Sequence, residues 1–129
     1  MEYRFSEDAR YAKTHEWIRV EGGEAVVGIS DYAQDHLSDV VFVELPDTGK
    51  EVKGGAACLV IESVKAAEEV FAPVSGTVIA RNEKLSASPE LVNKDPYGDG
   101  WLVRIRMSDP KEVEGLMGVA EYRALVAGL

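Results

Sequence analysis

The chain has 129 residues, with 14 Lys and Arg against 23 Asp and Glu and a formal net charge of -9; this surface repels phosphate backbones and argues against nucleic acid as a partner. Its one cysteine, Cys58, excludes an internal disulfide framework, and the length suffices for one hydrophobic core without metal or disulfide support. No run approaches membrane-spanning length, and the mixed charges from Met1 to Asp8 fit neither a secretory signal nor a transit peptide, so the expectation is a cytoplasmic monomer of one domain, residues 1–129, off the membrane.

Apolar alternation is read over Glu16–Val20 and Ala25–Ile29, either side of Gly22-Gly23, and again over Val40–Leu45 before the turn residues Pro46-Asp47-Thr48-Gly49. Such alternation places successive side chains on opposite faces and predicts short antiparallel strands. Between them, Ser30 as a cap and Asp31 in a first turn predict a short helix reaching Leu37. After Gly54-Gly55 come two further strands, then a turn at Pro73-Val74-Ser75-Gly76 and a strand over Thr77–Arg81. Ser88 before Pro89 predicts one or two helical turns, and Asn93–Gly100 reads as loop. Trp101–Met107 alternates apolar with mostly charged residues, a half-buried strand; Asp109-Pro110 repeats the cap and proline signal. Val119, Tyr122, Val126 and Leu129 recur at helical spacing, so a helix closes the chain. Many short strands separated by turns predict a mainly β sandwich or flattened barrel with peripheral helices.

The segment from Glu62 to Glu69 lies between the strand-like runs Leu59-Val60-Ile61 and Val70-Phe71. Nothing at Val64-Lys65-Ala66 supplies an interior for a charged group, so Lys65 is expected at a hairpin tip with its ammonium in water. From this local pattern alone, a handle for another enzyme and an ordinary solvated lysine both stand.

Catalytic constellations are missing from the sequence. His15 and His36 have no histidine, cysteine or carboxylate at metal-site spacing, Gly54-Gly55 lacks the lysine and serine of a phosphate loop, and no nucleophile elbow occurs. No catalytic residue and no metal ligand is assigned. Cys58, within Ala57-Cys58-Leu59-Val60, reads as a small buried hydrophobe. An exposed lysine on a chain without catalytic machinery suggests a protein that carries something.

Thr14-His15-Glu16-Trp17, GISDYAQDHL (Gly28 to Leu37), DVVFVELPDTG (Asp39 to Gly49), ESVKA (Glu62 to Ala66), PVSG (Pro73 to Gly76) and ELVNKDPYGDGWL (Glu90 to Leu102) occur in order. Taken together they closely resemble the H proteins of the glycine cleavage system, from about Tyr11 to Leu125. The resemblance implies a lipoyl-domain-like barrel-sandwich hybrid of small antiparallel sheets with a C-terminal helix, and a lipoate joined by an amide to Lys65. It implies a shuttle and not an enzyme: lipoamide accepts the aminomethyl group that a pyridoxal-phosphate glycine decarboxylase leaves after removing carbon dioxide. A tetrahydrofolate-dependent aminomethyltransferase takes the one-carbon unit and releases ammonia, and dihydrolipoamide dehydrogenase reoxidises the dithiol. A lipoate ligase or a lipoyl or octanoyl transferase would load the lysine.

Glu62, Ser63, Val64 and Ala66 flank the attachment point; these and Glu68 and Glu69 are solvated hairpin residues or a recognition feature for the loading enzyme. The resemblance further implies a cleft that shelters the loaded arm, with Glu16, His36 and Glu69 in or near it, where carboxylates would hold a protonated amine. Cys58 is a departure from the family's usual pattern, and a thiol near a dithiolane invites exchange. Alternatives are a lipoyl or biotinyl carrier of another complex, a lipoate relay, and, from another class, an acidic interaction module without cofactor. Biotin carriers favour methionine on each side of the lysine, where Val64 and Ala66 stand here, and lipoyl domains of large complexes are tethered by long linkers.

Overall fold

The structure, a computed structural model, describes residues 2–129. In chain order its strands are β1 (Arg10–Tyr11), β2 (Glu16–Glu21), β3 (Glu24–Ile29), β4 (Val40–Glu44), β5 (Glu51–Val52), β6 (Ala57–Ser63), β7 (Ala67–Phe71), β8 (Gly76–Arg81) and β9 (Val103–Met107). Two antiparallel sheets result: a six-stranded one in the order β1-β2-β3-β9-β8-β5 and a three-stranded one in the order β4-β6-β7. Gly22 makes the tight β2–β3 connection possible with φ 66, a conformation that side chains with a Cβ resist.

Register decides which residues face the second sheet. Glu16 pairs with Ile29 and Ile18 with Val27, so these four share the inner face of the large sheet, whereas Trp17, opposite Gly28, points away. The inner face packs against Leu59, Ile61 and Val70 of the small sheet, joined by Val78, Val103 and Ile105. Fully buried Ile18, Ile61 and Ile105 each stabilise the fold by roughly 1.5–3 kcal/mol relative to exposure. A second apolar layer covers the outer face: Tyr11, Trp17 and Val26 lie under Tyr122 and Val126 of the terminal helix α4 (Val119–Ala127). The Trp17 indole N–H donates to the carbonyls of Ile29 and Pro96 at 3.0 and 3.1 Å, which satisfies its polar edge inside this layer.

The first helix, α1 (Asp31–Leu37), is capped as its sequence requires: Ser30 Oγ accepts from the Ala33 N–H at 3.2 Å. It ends at Ser38, whose φ of 68 turns the chain into β4. The Ser88-Pro89 signal precedes α3 (Leu91–Lys94), which also takes in Asn93 and Lys94, expected in a loop. Its turn is closed by the Lys94 and Asp95 N–H groups donating to the carbonyls of Glu90 and Leu91. The four-residue α2 (Lys84–Ala87) was not expected, since its cap residue Glu83 makes no side-chain hydrogen bond that could advertise it. Asp109-Pro110 starts a 3-10 turn over Pro110–Gly115, and Met117 then bridges to Tyr11 in extended form before α4 begins. Trp101 lies outside β9, its N–H donating to Gly98 O to close the preceding turn.

Candidate functional site

β6 and β7 form a hairpin whose tip is Val64-Lys65-Ala66, all exposed, with Val64 69% accessible. Ser63 builds the tip. Its Oγ accepts from the N–H groups of Lys65 at 3.2 Å and Ala66 at 3.1 Å and donates to Ala66 O at 3.1 Å, while its own N–H bonds to Ala66 O at 2.8 Å. A short hydroxyl side chain that folds back on the next turn is the reason serine is favoured in such a place. The Val64 N–H donates to Asp39 O at 3.0 Å, fastening the tip to the start of β4. Lys65 is therefore held at its backbone and exposed along its side chain, and its Nζ donates to the His36 carbonyl at the end of α1, 2.5 Å away.

Beside this contact opens a cleft of about 320 Å³ between α1, the β1–β2 turn and β7. Ile29, Ala33, Leu37 and Val70 give it an apolar wall, and Thr14, His15, Glu16, Tyr32, His36, Glu68 and Glu69 complete the lining. His36, Tyr32 and His15 make an aromatic ladder, with ring centroids 4.1 Å apart in the first step and 4.7 Å in the second. Glu16 is the one deeply buried acid of the cleft, 2% exposed. Its Oε1 accepts from the Thr14 hydroxyl and its Oε2 from the Phe71 N–H at 3.0 Å, so the carboxylate spans from the large sheet to the small one. Burial pushes the Glu16 carboxyl above the ordinary carboxylate range, opposed by these hydrogen bonds. Burial also pushes the His15 imidazole below its ordinary value, helped by the nearby His36. The cleft thus pairs a carboxyl that resists charging with a histidine that stays neutral, next to an exposed lysine.

The structure brings Glu16, His36 and Glu69 to one cleft and puts Lys65 at its mouth, with Glu62 and Ala66 exposed on either side. Reading the sequence missed Tyr32, His15 and Thr14 as cleft residues; Tyr32 on a short helix and Thr14 in a turn carry no signal without knowing that α1 and the β1–β2 turn face each other. Cys58 lies apart, in the β6 bulge between Ala57 and Leu59, 5% exposed, with its thiol pKa raised by burial. Six residues, Leu59 to Val64, separate it from Lys65, about 20 Å along extended chain. Among the described residues no group of three or more His, Cys, Asp or Glu could hold a metal ion, and no helix is long and apolar enough to cross a membrane.

The family model described as "Glycine cleavage H-protein" matches residues 9–128. The chain is 55% identical over 120 residues to a glycine cleavage system H protein of Aeromonas salmonicida (strain A449), covering 92% of this chain and 93% of that protein. It is 58% identical over 116 residues to one from Pseudoalteromonas atlantica (strain T6c), covering 89% and 90%. A crystal structure of a glycine cleavage system H protein from Mycobacterium marinum superimposes with a TM-score of 0.86 at 35% identity, covering 97% of this chain and all of that one.

Proposed function

The chain belongs to the glycine cleavage H-protein family, a carrier component and not itself a catalyst, and on that premise we propose that Lys65 bears its lipoyl group and that the adjoining cleft receives the loaded arm. The observation that carries this reading is the exposed Lys65 on a serine-built tip, with its Nζ on the carbonyl of His36, a residue that lines the cleft. The residues present suit the group. Ile29, Ala33, Leu37 and Val70 offer apolar surface for a hydrocarbon arm, and Thr14, Glu16 and Glu69 offer oxygen acceptors for a polar end.

When bound, the lipoyl group supplies a dithiolane that takes up an electron pair together with the aminomethyl carbon and is later reoxidised from the dithiol. The chain's own residues do the rest. Ser63 fixes the tip backbone, so a loading enzyme meets Lys65 in one geometry and can favour the neutral amine that acylation needs. Acylation removes the lysine charge and leaves a neutral amide N–H, a weaker donor to the exposed His36 carbonyl than the ammonium, so the side chain can rest at the cleft or leave it as a tether that concentrates its end near docked active sites. Inside the cleft, Glu16 sits where desolvation makes an unpaired carboxylate costly; an ammonium arriving there offsets that cost by a charge-assisted hydrogen bond. Burial of that pair keeps water away from a hydrolysable one-carbon unit.

The partners of this reading are a pyridoxal-phosphate glycine decarboxylase, a tetrahydrofolate-dependent aminomethyltransferase, dihydrolipoamide dehydrogenase and a lipoate-attaching enzyme, in the cytoplasm. The acidic flank of Glu62, Glu68 and Glu69 favours fast encounter with basic faces on those enzymes. Two measurements test the proposal. Peptide mapping after incubation with lipoate, ATP and a lipoate ligase is expected to find the lipoyl mass on Lys65; finding it on another lysine would refute the attachment site. Glu16→Gln and Glu69→Gln are expected to shorten the lifetime of the aminomethyl-loaded form, and lifetimes equal to wild type would refute the cleft.

A further inference from the structure

His15 closes the β1–β2 turn with φ 80, a left-handed conformation that costs a residue with a Cβ about 1 kcal/mol or more. The surroundings hold it there: its N–H donates to Ala12 O and its carbonyl accepts from the Ser30 N–H, both at 2.9 Å, and its ring packs against Tyr32. The remaining contact is polar. His15 Nδ1 lies 2.8 Å from the Tyr122 hydroxyl, which lies 2.7 Å from Ser30 Oγ.

Counting protons along this chain assigns the imidazole tautomer. Ser30 and Tyr122 are both fully buried. Ser30 Oγ accepts the Ala33 N–H as the cap of α1, and among the described residues the Tyr122 hydroxyl is the one acceptor within reach of its own hydrogen. Tyr122 then accepts from Ser30 and donates to His15 Nδ1. The opposite direction would strand a buried hydroxyl hydrogen at a cost of about 1–3 kcal/mol. A neutral imidazole that accepts at Nδ1 carries its proton on Nε2, and burial favours that neutral form. Nε2 makes no hydrogen bond to the protein, and no buried side-chain nitrogen or oxygen lacks a partner among the described residues. This nitrogen is therefore accessible, on a residue that lines the cleft.

We infer that His15 is a positioning residue whose Nε2–H donates a hydrogen bond to the sulfur end of the arm carried by Lys65. The inference rests on the arm-in-cleft reading and goes beyond it by naming a donor for the sulfur, distinct from the carboxylates that suit the amine. Position decides which part of the arm His15 meets. Lys65 Nζ touches the His36 carbonyl, and the ladder runs from His36 through Tyr32 to His15. An arm amide-linked to Lys65 and laid along this ladder would have its amide end at His36 and its distal end at His15. A thiolate or thiol sulfur would be the acceptor it presents there.

The test uses the full chain labelled with 15N-histidine and with its tyrosines labelled, unmodified, lipoylated, and lipoylated then reduced. In the unmodified wild type the His15 ring nitrogens are expected to report the Nε2–H tautomer, and Tyr122→Phe is expected to give a tautomer mixture. Reduction of the lipoylated protein is expected to move the Nε2 resonance. An Nδ1–H tautomer in the wild type, or an Nε2 resonance that is the same in all three forms, overturns the inference. If Tyr32 and His36 resonances respond to lipoylation and His15 does not, the donor role alone falls; if none responds, the arm-in-cleft reading falls with it. His15→Gly keeps the turn, because glycine adopts φ 80 without strain, and is expected to lower the equilibrium constant for docking the arm about fivefold, as loss of one ordinary hydrogen bond implies, which is read as smaller arm-induced shifts at Tyr32 and His36. Undiminished shifts in that variant also overturn the inference.

Discussion

Lys65 and His36 meet across the mouth of the cleft, the lysine Nζ donating to the carbonyl at the C-terminal end of α1. The contact is exposed, so it positions more than it stabilises. Unmodified wild-type and Lys65→Arg proteins are therefore expected to melt within about 2 °C of one another, as for exposed changes remote from the core. Scanning calorimetry measures this; a shift of many degrees would mean that the Lys65 contact holds the fold and not only the side chain.

Ser63→Ala removes the side-chain oxygen that bonds Lys65, Ala66 and the Ala66 carbonyl. The expected loss of stability is about 1 kcal/mol, small because water replaces the exposed bonds. The loading rate should fall more than stability does, because Lys65 loses its fixed backbone. Chemical denaturation and a timed intact-mass assay of ligase-catalysed loading separate the two effects; an unaltered loading rate would show that tip geometry is not read.

Glu16 gives the fold a pH dependence of a definite sign. Its folded pKa is raised above the ordinary 4.5, chiefly by burial, so the folded state binds this proton more tightly than the unfolded state. That contribution to stability is full below 4.5 and is lost as pH rises through the raised folded value. Denaturant melts of wild type and Glu16→Gln across pH 4 to 8 should show the wild type losing ground to the variant as pH rises. A difference that is flat, or that grows in the wild type's favour, would contradict burial as the dominant influence.

Gly28 is fixed by its cross-strand neighbour. A Cβ there would lie 2.5 Å from Trp17 Cζ2, and Trp17 is fully buried between its hydrogen bonds to Ile29 and Pro96. Gly28→Ala is expected to cost roughly 1–3 kcal/mol by overpacking. Urea unfolding with an unchanged slope would report this; wild-type stability would mean that the indole shifts freely.

The alternation over Trp101–Met107 announced a strand of the large sheet, because half-buried antiparallel strands write their faces into every second residue; Ala25–Ile29, expected to alternate, is buried on both faces, between the small sheet and the layer under α4, and is apolar throughout. β1 and β5, two residues each, are too short to show a period. The tip lysine was legible for a local reason: Val64-Lys65-Ala66 interrupts two apolar runs. The cleft was not legible from spacing. Glu16, His36 and Glu69 stand on three different elements and were brought together in the sequence reading by family resemblance alone. The burial of Glu16 follows from its register with Ile29, and the part played by His15 from a tyrosine 107 residues further along the chain. Neither relationship exists before the chain folds.

Loading, tethering and docking of the arm all require Lys65 to be the carrier position. The direct measurement is peptide mapping of the full chain, wild type and Lys65→Arg, after co-expression with a lipoate ligase. It should find the lipoyl increment on the peptide containing Lys65 in the wild type and no increment anywhere in the variant. A modified Lys65→Arg protein, or a wild type that stays unmodified under every loading enzyme, would contradict it.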